Sequence, residues 1–309
     1  MALKAALIGL GTMGPGIAAR LARGGIGVRA HDKSAEATAR AQTQIPIAEG
    51  VLDRLGIAAP EGGPGAITFH QDLASAVDGA DLVIENVPEN LEIKGQVYRA
   101  LDSLVPADTI VASDTSGLPI TRLQAFMSNP ERVVGMHWSN PPHIIPMIEV
   151  IAGDKTAPRT VDFVVRLIRD LDLLPVVVKK DVPGFVENRV LYALLREAVA
   201  LVESGVIDPK DLDTCVSWGI GYKLGIVGPM ALLDMAGLDI YESVSSFLNA
   251  DLSTRSDVAP FVRERTGAGR LGIKTGSGVY NYTPERAAAL QAERAARFVA
   301  VRKALEGRA

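Results

Sequence analysis

The chain of 309 residues is 48% hydrophobic and 22% charged, which supplies a sizeable core and room for two domains of unequal size. Its formal net charge of −4 attracts neither nucleic acid nor an anionic membrane, and no apolar run approaches the roughly 18–20 residues that span a bilayer. The single cysteine, Cys215, rules out an intramolecular disulfide and, with no signal peptide ahead of the first strand, predicts a cytoplasmic protein.

Residues 4–9 read as a buried strand, 12–23 as a helix and 27–32 as a second strand, together one strand–helix–strand unit. A helical stretch over 34–55 and a Gly/Pro-rich turn at 60–65 follow. Short strands are then expected at 66–69, 81–87, 109–113, 133–137, 147–151 and 175–178, mostly separated by helical patterns. Such alternation predicts a largely parallel sheet covered on both faces. Beyond the Pro183-Gly184 turn the character changes: 185–204 is a long apolar helix, and the remainder reads as helices broken by Gly-rich loops. The domains are therefore placed at 1–181 and 182–309. The terminal helix, 287–309, is amphipathic and Arg-rich, and reads as packing on the second domain or on a partner subunit.

Gly9-Leu10-Gly11-Thr12-Met13-Gly14 stands where a strand turns into a helix, so its glycines can make the tight turn and bring backbone N–H groups to a pyrophosphate. Pro15 falls in the first helical turn, where its missing N–H costs nothing. Asp32, ending the second strand, suits the ribose hydroxyls and repels a 2′-phosphate, which favours NAD over NADP. The class is thus α/β, an N-terminal Rossmann-type, mostly parallel sheet with an all-α C-terminal domain. His137, in Gly-Met-His-Trp-Ser-Asn-Pro, and Glu149, in Met-Ile-Glu-Val, supply a general base and a carboxylate that fixes its tautomer. An ionised carboxylate in an apolar strand is costly unless paired, which supports that orienting role. Neither residue suggests a metal centre.

These motifs resemble the L-3-hydroxyacyl-CoA dehydrogenase family over nearly the whole chain. The resemblance is carried by Gly-Leu-Gly-Thr-Met-Gly-Pro-Gly-Ile-Ala, by Val-Pro-Glu-Asn-Leu-Glu-Ile-Lys at 87–94 and by Ser113-Asp-Thr-Ser-Gly. Gly-Met-His at 135–137, Asp181-Val-Pro-Gly-Phe-Val-Glu-Asn-Arg and Gly-Ile-Lys-Thr-Gly-Ser-Gly-Val-Tyr at 272–280 complete it. It implies an NAD-binding domain joined to a helical domain that forms a homodimer, with the active site in the cleft between the two domains. It also implies that Ser116 and Asn188 hydrogen-bond the reacting oxygen. Glu89, Lys94, Ser116, Asn140 and Lys274 match positions near the nicotinamide half, with the backbone of Val87 and Pro88 beside them.

Three departures bear on the substrate. Residues 34–80, which in the family help to hold the coenzyme A nucleotide, contain two basic residues, Arg40 and Arg54, against six acidic ones. Trp138-Ser139 replaces a Phe-Phe or Phe-Ser type of pair, and Asp114 stands where Asn is usual. The first two point to a small-molecule carboxylate free of coenzyme A, with Arg189, Arg196, Lys223 or His143 as candidates to bind its charge, while the change at Asp114 has no account. In overall length and in lacking coenzyme A features the chain is similar to a family member that oxidises a pyridine carbaldehyde acid in vitamin B6 degradation, and that resemblance favours such a substrate, oxidised through water activated by His137. A free 3-hydroxy acid such as L-gulonate and an L-3-hydroxyacyl-CoA are the alternatives. Cys215 reads as a small buried apolar residue and a poor nucleophile. A non-catalytic, crystallin-like NAD-binding protein has no need of His137, Glu149, Ser116 and Asn188 together, so an enzyme is expected.

Overall fold

Apolar runs and amphipathic stretches alternate along the first half of the chain, and the computed structural model, which describes residues 3–307, folds them as strands and helices in turn. They are β1 (Lys4–Ile8), α1 (Gly14–Arg23), β2 (Gly27–His31), α2 (Ala35–Leu55), β3 (Ile67–His70), α3 (Leu73–Val77), β4 (Leu82–Glu85) and α4 (Leu91–Leu104). Then come β5 (Ile110–Ser113), α5 (Ile120–Gln124), β6 (Val133–Trp138), β7 (Met147–Ala152), α6 (Pro158–Asp170) and β8 (Leu174–Val178). One sheet results, ordered β3-β2-β1-β4-β5-β6-β7-β8, with every neighbouring pair parallel except β6 and β7. Successive residues of a strand face opposite sides, yet Ala5, Ala6, Leu7 and Ile8 are all buried, so both faces of the sheet are covered at β1.

Local chemistry sets the helix ends. Ser34 caps α2 by accepting from Ala37 N at 3.2 Å, and Gly56, in the left-handed region, closes it. Asn90 caps α4 through Glu92 N and Ile93 N at 2.9 and 3.0 Å. Helix α1 begins at Gly14, two residues later than expected, because Gly9 to Met13 are spent on the turn out of β1.

The chain divides into two compact units, Met1–Arg189 and Val190–Ala309. That division falls inside α7 (Glu187–Glu203), whereas the sequence suggests 181/182. The second unit continues with α8 (Pro209–Cys215), a π-helical stretch Val216–Gly221, α9 (Tyr222–Leu224), α10 (Pro229–Ala236), α11 (Leu238–Asp251), α12 (Pro260–Gly267) and α13 (Pro284–Leu305). Glu203 ties α7 to α12, accepting from Phe261 N at 2.7 Å and from Arg255 Nη2 at 3.2 Å. Helix α13 starts at Pro284 behind the cap of Thr283, and the last two residues of the expected terminal helix lie outside the described ones.

No residue of α8, α10, α11 or α12 is buried. Cys215 is accordingly exposed, against the expectation of a buried thiol, because nothing among the described residues covers that end of α8. Trp218, Ile226, Met230, Met235 and Phe247 stay between 63% and 74% exposed. No single helix among the described residues is long and apolar enough to cross a membrane.

Gly9 shows how closely the turn is built. Its φ is +104°, and a Cβ there would lie 2.3 Å from the Asn86 carbonyl oxygen. Gly9→Ala is expected to cost at least about 2 kcal/mol, read as a lower thermal midpoint, and to weaken NAD binding in the same preparation.

Candidate active site

The chain leaves β1 toward β2 on one side and later returns to β4 on the other, so the sheet has a topological switch point between them. Ligands bind in the crevice at the carboxyl ends of strands flanking such a point. Five strand ends, those of β1, β2, β4, β5 and β6, carry many of the sequence-predicted residues.

The β1 end is shaped for a dinucleotide. Met13, at the N-cap of α1, makes no side-chain cap, and no acidic residue stands in the first turn, so helix N–H groups are left for an anion. Gly11 and Thr12 are exposed, Met13 is half-buried, and a Cβ at Gly11 would meet nothing within 4 Å. Asp32 is held by Leu10 N at 2.8 Å and Ser34 N at 2.8 Å, which fixes its carboxylate beside the turn. An open glycine cradle with an oriented acid beside it fits NAD.

At the β4 end a buried acid organises the next loop. Glu85 accepts from Lys94 Nζ at 2.7 Å, Val87 N at 2.8 Å and Ser113 Oγ at 2.7 Å, which satisfies both oxygens. Lys94, 1% exposed, also donates to the Val87 carbonyl at 3.2 Å and lies 3.6 Å from Glu89. Glu89 in turn accepts from Thr115 Oγ1, Gly117 N and Leu118 N at 2.6, 3.0 and 3.3 Å. Lys94 and Glu89 therefore lock the 86–89 and 114–118 loops together. Thr115, rather than Ser116, caps the turn, accepting from Leu118 N at 3.0 Å. The Ser116 side chain is left exposed, and its carbonyl accepts from Asn188 Nδ2 at 2.8 Å, which brings those two residues together.

His137 and Glu149 are paired by the sheet itself. In the antiparallel register of β6 and β7 they stand directly opposite, so their side chains share a face. Glu149 Oε2 lies 2.8 Å from His137 Nδ1, and its Oε1 accepts from Val186 N at 2.9 Å and Glu187 N at 3.1 Å. Burial works against the Glu149 carboxylate, but these hydrogen bonds outweigh it and hold its pKa below the usual value. Burial likewise pulls His137 toward neutrality, and the bond to Glu149 with the charges of Asp114, Glu149 and Glu187 reverses this, leaving its pKa raised. A charged Glu149 makes Nδ1 the donor and leaves Nε2 to exchange a proton.

The comparisons with known proteins agree with this geometry. Residues 4–182 match the 3-hydroxyacyl-CoA dehydrogenase NAD binding domain, and residues 184–282 match the C-terminal domain of the same enzymes. The chain belongs to the 3-hydroxyacyl-CoA dehydrogenase family. It is 71% identical, over 98% of both chains, to the 5-formyl-3-hydroxy-2-methylpyridine 4-carboxylate 5-dehydrogenase of Mesorhizobium japonicum. A crystal structure of a 5-dehydrogenase of that kind, described as an NAD+ dependent dismutase, is 70% identical, covers all of both chains and superposes with a TM-score of 0.98. A probable 3-hydroxybutyryl-CoA dehydrogenase of Deinococcus radiodurans is 35% identical over 91% of this chain and all of its own. The protein is an NAD-dependent dehydrogenase.

Within this 3-hydroxyacyl-CoA dehydrogenase frame, the remaining expected residues are spread out. Asn140 is exposed just beyond β6, and Lys274 is exposed on the turn Ile273–Thr275 of the second unit. His143 is not a cation for a substrate carboxylate: burial, then Arg54, draws its pKa down to about 4, and its Nδ1 faces the helix backbone at Gly16. Arg189 donates to the Pro183 carbonyl at 3.3 Å, and Arg196 and Lys223 are exposed in the second unit. Sequence reasoning missed Glu85, Thr115 and Glu187. Glu85 could have been found from the cost of an acid ending the apolar run Leu-Val-Ile-Glu, with Lys94 nine residues on.

Asp114 accepts from Trp138 N at 2.8 Å, and burial, partly offset by that bond, pushes its pKa up to about 7. An acid with a raised native pKa stabilises the fold fully below its unfolded value near 4 and loses that contribution as pH rises to about 7. Asp114→Asn keeps an acceptor for Trp138 and removes the charge. Thermal melts should show it more stable than the parent by a few kcal/mol, about 2–4, at pH about 8, with the gain vanishing toward pH about 4.

Proposed function

We propose that the substrate is 5-formyl-3-hydroxy-2-methylpyridine-4-carboxylate, oxidised at its aldehyde to the dicarboxylate. The observation that carries this reading is the 71% identity to a dehydrogenase of that compound, which runs over 98% of both chains. Supporting it, the 34–80 segment holds only two basic residues, Arg40 and Arg54, against six acidic ones, a balance that disfavours coenzyme A phosphates.

An aldehyde carries no hydroxyl proton until it is hydrated. His137 Nε2 activates water or deprotonates the hydrate, and Glu149 holds the imidazolium that forms. Ser116 and Asn188, adjacent in the structure, are assigned to the reacting oxygen. The nicotinamide ring of NAD supplies the hydride acceptor and, once reduced, a donor to a second aldehyde, the chemistry of a dismutase. Gly9, Gly11, Thr12, Met13 and Gly14 would hold the pyrophosphate and Asp32 the ribose. Val87, Pro88, Glu89, Ser116, Asn140 and Lys274 are assigned to the nicotinamide half, with Lys94 acting through the Val87 carbonyl. Residues 1–181 serve as the NAD-binding domain and 182–309 as the substrate and dimerisation domain. An exposed free Cys215 suits the reducing cytoplasm.

Purified protein with NAD should form NADH with the pyridine aldehyde and far less with L-gulonate or 3-hydroxybutyryl-CoA. Turnover of the thioester alone would defeat the reading. His137→Ala should lower kcat by roughly 10²–10⁴ with NAD affinity retained. Because the His137 pKa is raised, oxidation should climb with pH through a midpoint above the usual histidine value, while aldehyde reduction by NADH falls through the same midpoint.

The exposed Trp218, Ile226, Met230, Met235 and Phe247 support a homodimer through the helical domain. Sedimentation is expected to give twice the chain mass, and Met230→Glu with Met235→Glu to shift the species toward monomer.

A further inference from the structure

Three carboxyl groups face His137: Glu149 from β7, Asp114 from the loop after β5, and Glu187 from the first turn of α7. Their hydrogen bonds separate their roles. Glu149 is fully occupied, by His137 on one oxygen and two backbone N–H groups on the other. Asp114 is engaged by Trp138 N. Glu187 differs: its Oε1 accepts from Ser139 Oγ at 2.6 Å, while its Oε2 is buried with no hydrogen-bond partner among the described residues. A buried oxygen without a donor is costly and calls for an explanation. One side-chain atom from each of His137, Glu149 and Glu187 lies within 4.8 Å of the other two.

We propose that Glu187 is a positioning residue acting through His137: its free oxygen keeps the imidazole basic, and its bond to Ser139 ties the start of α7 to the end of β6. The first part follows from distance, since a carboxylate this close in a water-poor setting favours the protonated ring. The second follows from connectivity. Ser139 comes two residues after His137, and Glu187 directly precedes Asn188, so one hydrogen bond sets the spacing of the base and the proposed oxygen-binding amide. The inference rests on the reading of His137 as the base. It deepens that reading because a dismutation uses the ring in both states: neutral to take the proton of the hydrate, protonated to return one to the alkoxide of the reduced aldehyde.

The test follows the His137 imidazole by proton–nitrogen correlation NMR, practicable with four histidines in the chain. In Glu187→Gln, which keeps an acceptor for Ser139, the His137 midpoint is expected to fall by about one pH unit. The pH profile of aldehyde oxidation should move with it, and reduction by NADH above the midpoint should fall about tenfold. Should that variant not fold, Glu187→Asp, which withdraws the charge by one methylene, must still lower the midpoint. An unchanged midpoint in folded Glu187→Gln, with only thermal stability reduced, overturns the proposal. A shifted midpoint in a protein that never turns over the pyridine aldehyde overturns the substrate reading and leaves this one standing.

Discussion

The charge on Glu149 governs the layout of the site. It sits in the middle of β7, 1% exposed, where an unpaired carboxylate would cost several kcal/mol, on the order of a shift to the neutral acid. Three donors resolve this, one imidazole and two backbone N–H groups, and supplying the latter dictates the chain path after β8. Gly184 and Phe185 both adopt positive φ, +76° and +48°, and this reversal turns Val186 N and Glu187 N onto one carboxylate oxygen. Phe185 tolerates that strained backbone because its side chain is fully buried, with its ring 5.8 Å from His137. A single buried charge thus couples β6, β7 and the start of α7.

Glu85 solves the same problem differently. It is buried as well, at the end of β4, but a lysine ammonium neutralises it and a serine and a backbone N–H complete its shell. That ion pair and the two further hydrogen bonds hold the carboxylate in place, so it serves as a fixed post for the cofactor-side loops. Glu149 is instead paired with the one side-chain type that gains and loses a proton near neutrality. The two acids stand on either side of β5, one rigid and one responsive.

Much of this was legible in the sequence because buried strands such as β1, β4 and β6 read as near-continuous apolar runs, while β2 and β3, with their Arg, Thr and His, were legible mainly from the turns around them. The dinucleotide turn was legible because its glycines have few other uses at a strand–helix junction. The pairing of His137 with Glu149 was legible too, since two strands joined by a short connection, one bearing a base and the other an acid in an apolar run, invite an antiparallel contact. What stayed hidden depends on distant loops. Asn188 meets Ser116 across 72 residues, and Glu187 meets Ser139 across 48, spacings that no local periodicity encodes. His143 carries its basic atoms openly in the sequence, while its neutrality follows from burial that only the fold creates. Cys215 misled in the opposite sense, because a small apolar residue carries no local signal of whether the fold covers it, and here no residue of α8 is buried.

The carboxyl groups around His137 also bear on how the base meets the charge it acquires. In the proposed oxidation His137 starts neutral and becomes an imidazolium as it takes the proton. That positive charge forms beside Asp114, Glu149 and Glu187, groups already held in place, so little reorganisation is needed to accommodate it. Burial alone would favour the neutral ring, and the same three acids offset it. A histidine backed by acids therefore keeps its protonated state within reach inside the protein.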